Sequence, residues 1–337
     1  MEDYTVLPEI VQAKYDDKRF PKIWHAILGA AVMYLPVYTV IFLLTTLTGG
    51  LYTKFFHSEF GLDMFLSVIS QFFAILIIPI FMLLITKRDI GTTLRLKKNI
   101  DILQVLLLAV FSIGIFFLLQ IVNGAFISTF SEFLGEPSDA GTISDPTNLT
   151  QLMFQIVIVA GLPSICEEIF FRGFVMRAFE RKSPIKAILM SAIIFAIMHG
   201  NFKQLAYAFL CGIILGVVVT LTDSLLAGCV IHFTLNAISV LFSYPPINDL
   251  YMHYVNNYEY IFSSVVMLAL PVVAFGAMAL FIVYTLKKNK NKYGVRVPTD
   301  MAFTHLMPKE KSGENAIKTI FWIAFILINV IFMFTSW

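Results

Sequence analysis

The sequence predicts an all-α fold, a polytopic membrane bundle of about eight or nine transmembrane helices. Three observations predict it. Of 337 residues, 58% are hydrophobic and only 14% charged, where soluble domains run about 45–50% apolar and about 25% charged. The apolar residues gather in runs long enough to span a hydrocarbon core, which takes about 20 residues of helix. The polar segments between the runs alternate between basic and non-basic, as in a chain threaded back and forth through a bilayer.

Taken in order, the qualifying runs are 23–48, 62–86, 101–132, 149–180, 185–202, 204–222, 224–243, 260–286 and 316–336. The pair 204–222 and 224–243 is joined so closely that a re-entrant segment is an alternative there. Residues 1–22 form a charged cytosolic segment, and the run after it is too long for a signal-peptide core, so the first span is expected to anchor the chain. The organisation is then N-terminal spans over 23–148, a helical core over 149–243, and C-terminal spans over 244–337 that include a basic linker, 287–315. Pro298, Pro308 and Gly313 mark that linker as a connection and not a domain. Gly212 and Gly216 in CGIILG fit a close helix–helix contact. Cys166, Cys211 and Cys229 all fall inside apolar runs and read as reduced packing residues.

Lys14, Lys18, Arg19 and Lys22 precede the first run, and Lys87, Arg88, Arg95, Lys97 and Lys98 follow the second. Arg177, Arg181, Lys182 and Lys186 gather at a later turn, and Lys287, Lys288, Lys290, Lys292 and Arg296 in the linker. The intervening loops 133–148 and 244–259 hold no Lys or Arg. The positive-inside rule therefore puts the N-terminus in the cytosol and the C-terminus outside. A formal net charge of +2 suggests no nucleic acid partner.

Ionisable side chains inside spans are costly and mark functional sites by default. In CEEIFFR, Glu168 and Arg172 are i and i+4 with the acid first, the favourable order for a helical ion pair, and read as structural support. Glu167 lies about 100° round the helix and is left free to accept a proton. His199 ends FAIMHG, one turn after Phe195, and His232 and Asn236 share a helix face in VIHFTLN. By helical rise Glu167 lies about 21 Å before Arg181, and His199 about 20 Å beyond Lys186. A hairpin about the basic turn brings them to one level, with His232 and Asn236 at comparable depth. A secluded carboxylate, two imidazoles and an amide suit attack of water on an amide bond, with Glu167 as base and no covalent nucleophile. There is no zincin His-Glu-x-x-His motif, nucleophile elbow or phosphate-binding loop, and Ser164 has no evident base.

Glu167-Glu168-x-x-x-Arg172, Phe195-x-x-x-His199 and His232-x-x-x-Asn236, in this order, resemble the three signatures of the CAAX-protease and bacteriocin-processing (CPBP) intramembrane proteases, relatives of the Ras-converting CAAX endopeptidase. The resemblance covers roughly 150–243. It implies a glutamate-dependent endopeptidase with Glu167 as base, His199 sharing water activation, and His232 with Asn236 at the oxyanion. The implied partners are the bilayer and a membrane-associated or lipidated peptide or protein. Metal-dependent members are described, and Glu167, His199 and His232 permit a zinc set. The metal-free reading, with no cofactor, is preferred because three helices would have to converge and Glu167 would lose its role as base. Members assigned to bacteriocin immunity make a noncatalytic membrane protein one alternative. A proton-coupled transporter is the other, against which no second half with matching polar residues is found. From the depth of His232 and the basic turns, the cavity is expected to open toward the cytosol.

Overall fold

The computed structural model describes residues 21–32, 58–134, 143–180 and 183–293. The expected span 316–336, most of 23–48, the segment 1–20 and the linker beyond 293 lie outside them. No strand occurs among the described residues. The helices are α1 (Ile23–Val32), α2 (Glu59–Ile85), α3 (Ile102–Leu134), α4 (Leu149–Glu180), α5 (Pro184–Met198), α6 (Phe202–Thr222), α7 (Leu225–Ser243), α8 (Pro245–Asn257) and α9 (Glu259–Asn291). Six of these, α2, α3, α4, α6, α7 and α9, are long and apolar enough to cross a membrane, and the chain is an integral multi-pass membrane protein. Helices are the solution lipid permits, because every backbone N–H and C=O must find its partner within the segment.

Local sequence sets the ends. Ser58, Asn148 and Asn201 sit in extended conformation before α2, α4 and α6, and their side chains accept from the N–H groups of Gly61, Gln151 and Lys203. Two expectations change. The run 185–202 forms only the 15-residue α5, because Gly200, at φ 60°, and Asn201 stop one helix and cap the next. The pair 204–222 and 224–243 forms two full-length helices, not a re-entrant segment. Helix α8 takes the place of the loop expected over 244–259; it starts on Pro245 and Pro246 and buries no residue. Its Tyr251 meets Phe117 and Phe242 at ring-centroid distances of 6.5 and 5.0 Å.

Gly212 and Gly216 do make the close contact their spacing suggests. A Cβ at 212 would lie 2.8 Å from the Ala192 backbone of α5, and one at 216 would lie 3.0 Å from Ile188. Gly212→Ala is therefore expected to force α5 and α6 apart and to lower stability by about 1–3 kcal/mol, read from melting in detergent. All three cysteines are free; Cys166 and Cys211 are buried and Cys229 is half-buried.

One end of the bundle is held by a buried ion cluster. Arg95 pairs with Glu180 and, at 3.0 Å, with Asp223; Arg177 pairs with Glu180 at 2.8 Å and with Asp223 at 3.2 Å; Lys98 adds 2.6 Å to Asp223. The cluster gathers residues from the loop after α2, the end of α4 and the α6–α7 turn. Asp223 takes the left-handed φ of 50° that closes α6. Burial raises its pKa, but Arg177, Arg95 and Lys98 outweigh it and bring the carboxyl from 3.8 down to about 2. A depressed carboxyl stabilises the fold above its unfolded pKa and loses that contribution as pH falls toward the folded one. Asp223→Asn, which keeps a residue tolerant of positive φ, is expected to cost about 2 kcal/mol at neutral pH. The gap in melting temperature between variant and parent should narrow as pH falls from 4 toward 2.

Candidate active site

Helix α4 carries two π-helical stretches, Ile156–Gly161 and Ile169–Val175, on either side of the turns that hold Glu167 and Glu168. Pro163 belongs to this irregularity. It has no N–H to give the Val159 carbonyl four residues earlier, and that carbonyl accepts from Asn236 Nδ2 of α7 at 3.4 Å. Past the acids, the Phe171 carbonyl accepts from Ser191 Oγ at 3.0 Å and the Arg172 carbonyl from Arg95 Nη1 at 2.8 Å. The π stretches thus tie α4 to its neighbours through its own backbone.

The two carboxylates have different surroundings. Glu168 and Arg172 are both wholly buried and meet at 2.7 Å, as their spacing requires. Arg172 Nη2 also reaches the Gly212 carbonyl at 3.4 Å, and its guanidinium lies over the Phe195 ring, 4.5 Å from the centroid. Glu168 also takes a second partner that the sequence reading did not assign. His232 Nδ1 stands 3.0 Å from Glu168 Oε1. A carboxylate paired with arginine can only accept, so Nδ1 carries the proton, and Nε2 is the nitrogen turned to Glu167, 3.7 Å from its Oε2. Gly228 makes room for this arrangement, since a Cβ there would come within 2.5 Å of Glu168 Oε2.

Glu167 is not the partnerless acid the sequence suggested. Gln71 Nε2, from a π-helical stretch of α2 at Ser70–Leu76, donates to its Oε1 at 2.9 Å. Its remaining oxygen, Oε2, faces His232. His199 closes α5. Its backbone N–H turns to Ala196, three residues back, and the Phe195 carbonyl accepts the ring Nδ1 at 2.7 Å, which leaves Nε2 as the acceptor. Phe195 is the common wall: its ring lies 4.7 Å from that of His199 and 5.8 Å from that of His232. The Phe-x-x-x-His spacing thus supplies a carbonyl for one histidine and an aromatic face for the arginine.

Glu167, His199, His232 and Asn236 all line one cavity of about 480 Å³. The depth expected from helical rise is met, since side chains from α4, α5 and α7 reach a common space. Gln71, Gln120 and Asn123 from α2 and α3 also line it and were missed. Asn123 bridges α3 to the start of α6, donating to the Lys203 carbonyl at 2.7 Å and accepting from the Tyr207 N–H at 3.0 Å. Among the described residues no three His, Cys, Asp or Glu side chains gather as a set that would hold a metal ion. In this arrangement His232 Nδ1 is on Glu168, and its Nε2 lies beside a carboxylate that Gln71 also holds.

The expected opening toward the basic loops is not reflected in the cavity lining, which among the described residues includes none of their side chains. At the basic end, Phe170, Phe171, Phe174 and Met176 are fully or almost fully buried and the ion cluster lies beneath them. The cavity runs the other way, toward Ile143 and the ends of α6 and α7 that carry Gln204 and Ser239.

No curated protein and no solved structure matches the chain. Residues 149–238 match the Rce1-like family, described as type II CAAX prenyl endopeptidase, over the stretch that runs from α4 into α7 and contains Glu167, Glu168, Arg172, His199, His232 and Asn236. Over this segment the chain is similar to the Rce1-like family, in line with the resemblance that its three motifs carry.

Proposed function

We propose that the protein is an intramembrane endopeptidase that hydrolyses a peptide bond of a membrane-associated or lipidated substrate with water activated by Glu167. The observation that carries this reading is the division of labour between adjacent acids: Glu168 is neutralised by Arg172, while Glu167 opens onto the cavity with one oxygen uncommitted to any cation. Glu167 Oε2 takes a proton from water as the oxygen attacks the carbonyl carbon. As the C–N bond breaks, the protonated Glu167 returns that proton to the leaving amine. His199, held at Nδ1, shares the orientation of the water through Nε2. Asn236 turns its amide from the Val159 carbonyl, a long contact of 3.4 Å, toward the developing oxyanion. His232 stands beside it, with Nε2 3.7 Å from Glu167 Oε2.

Gln71 acts as a positioning residue in this scheme, because it occupies one oxygen of Glu167 and so directs the other. Gln71→Leu is expected to lower kcat about tenfold to a hundredfold with KM little changed, measured on a cleaved peptide. The proposed topology has the N-terminus in the cytosol and the C-terminus outside, from the charge of the loops. The function is tested by incubating purified protein in proteoliposomes with membrane-tethered peptides and identifying products by mass spectrometry, with and without a strong chelator. Cleavage that survives the chelator is expected. Loss of activity that zinc restores would overturn the metal-free chemistry, and absence of any cleavage by folded protein would overturn the assignment.

A further inference from the structure

We infer that the substrate segment enters from the membrane face opposite the basic loops, as a polar, extended stretch of an extracytosolic or secreted chain. The inference rests on the protease reading for its substrate and on geometry alone for its direction.

Three helices agree on that direction. Gln120, Gln204 and Ser239 are exposed rim residues of the cavity, whereas His232 and Cys211 at its floor are buried. Counted from the basic ends of their helices, Gln120 and Gln204 lie about 27 Å along and Ser239 about 21 Å, while His232 lies only about 10 Å along. In a hydrocarbon core of about 30 Å the rim is therefore in the far half of the membrane. Among the described residues Arg95, Arg177 and Glu180 are buried and ion-paired with one another or with Asp223, and no side chain of the basic loops lines the cavity.

The wall of the passage is chemically suited to a peptide backbone. Ser67 and Ser70 of α2, Gln120 of α3 and Gln204 of α6 present hydroxyls and amides in a region that would otherwise be lipid-like. Polar groups at such depth persist where they line a water-filled path. A wall of donors and acceptors accommodates extended main chain and offers little to a long apolar chain. With basic loops in the cytosol, this face is the outer one.

The test is vectorial labelling. In a background with Cys166→Ala, Cys211→Ala and Cys229→Ala, single Gln204→Cys, Ser239→Cys and Lys186→Cys variants are treated with a membrane-impermeant thiol reagent in sealed right-side-out and inside-out vesicles. Lys186 is exposed at the basic turn and marks the other face. Gln204→Cys and Ser239→Cys should label in right-side-out vesicles alone, and Lys186→Cys in inside-out vesicles alone. Rim labelling from the same face as Lys186→Cys would overturn the inference. Should the cysteine-free protein fail to fold, the rim variants are compared with the parent carrying its native thiols. Labelling needs no catalysis, so a protein that cleaves nothing would defeat the protease reading and leave the direction of access decided. A peptide tethered outside is then expected to be cut and the same peptide inside to be spared.

Discussion

Glu167→Gln is expected to abolish cleavage while the protein remains inserted and folded. The amide keeps the shape of the carboxyl and can still meet Gln71, whose own amide turns over to offer oxygen in place of N–H. It cannot accept the proton of water. Loss of a general base removes about 10²–10⁴ in rate, and here the same group also delivers the proton to the leaving amine. The measurement is kcat/KM on a tethered peptide, with melting temperature taken on the same sample. A folded variant that retains a substantial share of parental activity would remove Glu167 from the chemistry.

The second large effect falls on the fold. Glu168→Ala strands Arg172, a wholly buried guanidinium, and also takes from His232 the acceptor of its Nδ1 proton. Arg172→Ala strands Glu168 and empties the space over Phe195. Breaking a buried pair by removing one member costs about 3–5 kcal/mol, so both variants should express poorly or melt well below the parent. The ranking is the specific expectation: both lose more stability than Glu167→Gln. Equal melting of the three in detergent would show that the Glu168–Arg172 pair does not support the fold.

Much of the site was legible because its charged members are helical neighbours. Spacing of four places Glu168 on Arg172 and His232 near Asn236 on one face, and rise per residue brings Glu167, His199 and His232 to one cavity. What stayed hidden depends on the register between helices, which no spacing within one helix contains. Gln71 lies 96 residues before Glu167 and carries no charge, so within SQFFAIL it reads as a tolerated polar residue; its only signal was being the sole amide in that run. Asn123 is the same case on α3. The bond from His232 to Glu168 likewise needs two helices seen together, and it makes the supporting acid an orienting group for the site.

The lining of the cavity departs from expectation for a related reason. Rise from Asp223 places His232 toward the basic end, but whether that end lines the cavity depends on what fills it. It holds Arg95, Arg177, Glu180 and Asp223, four residues spread over more than a hundred positions and brought together only by folding. The length of α5 could have been read correctly, because Gly200 and Asn201 form a stop followed by a cap inside the run 185–202.

The central claim, direct attack of Glu167-activated water on a peptide bond, is tested most directly by cleavage in heavy-oxygen water. Purified wild-type protein is given a membrane-tethered peptide in a single turnover, alongside Glu167→Gln, and the new C-terminus and the enzyme are both weighed by mass spectrometry. The predicted result is one heavy oxygen in the new carboxylate, an enzyme of unchanged mass at every quench time, and no product from Glu167→Gln. An acylated enzyme during turnover, or product formed equally by the folded Glu167→Gln variant, would contradict it.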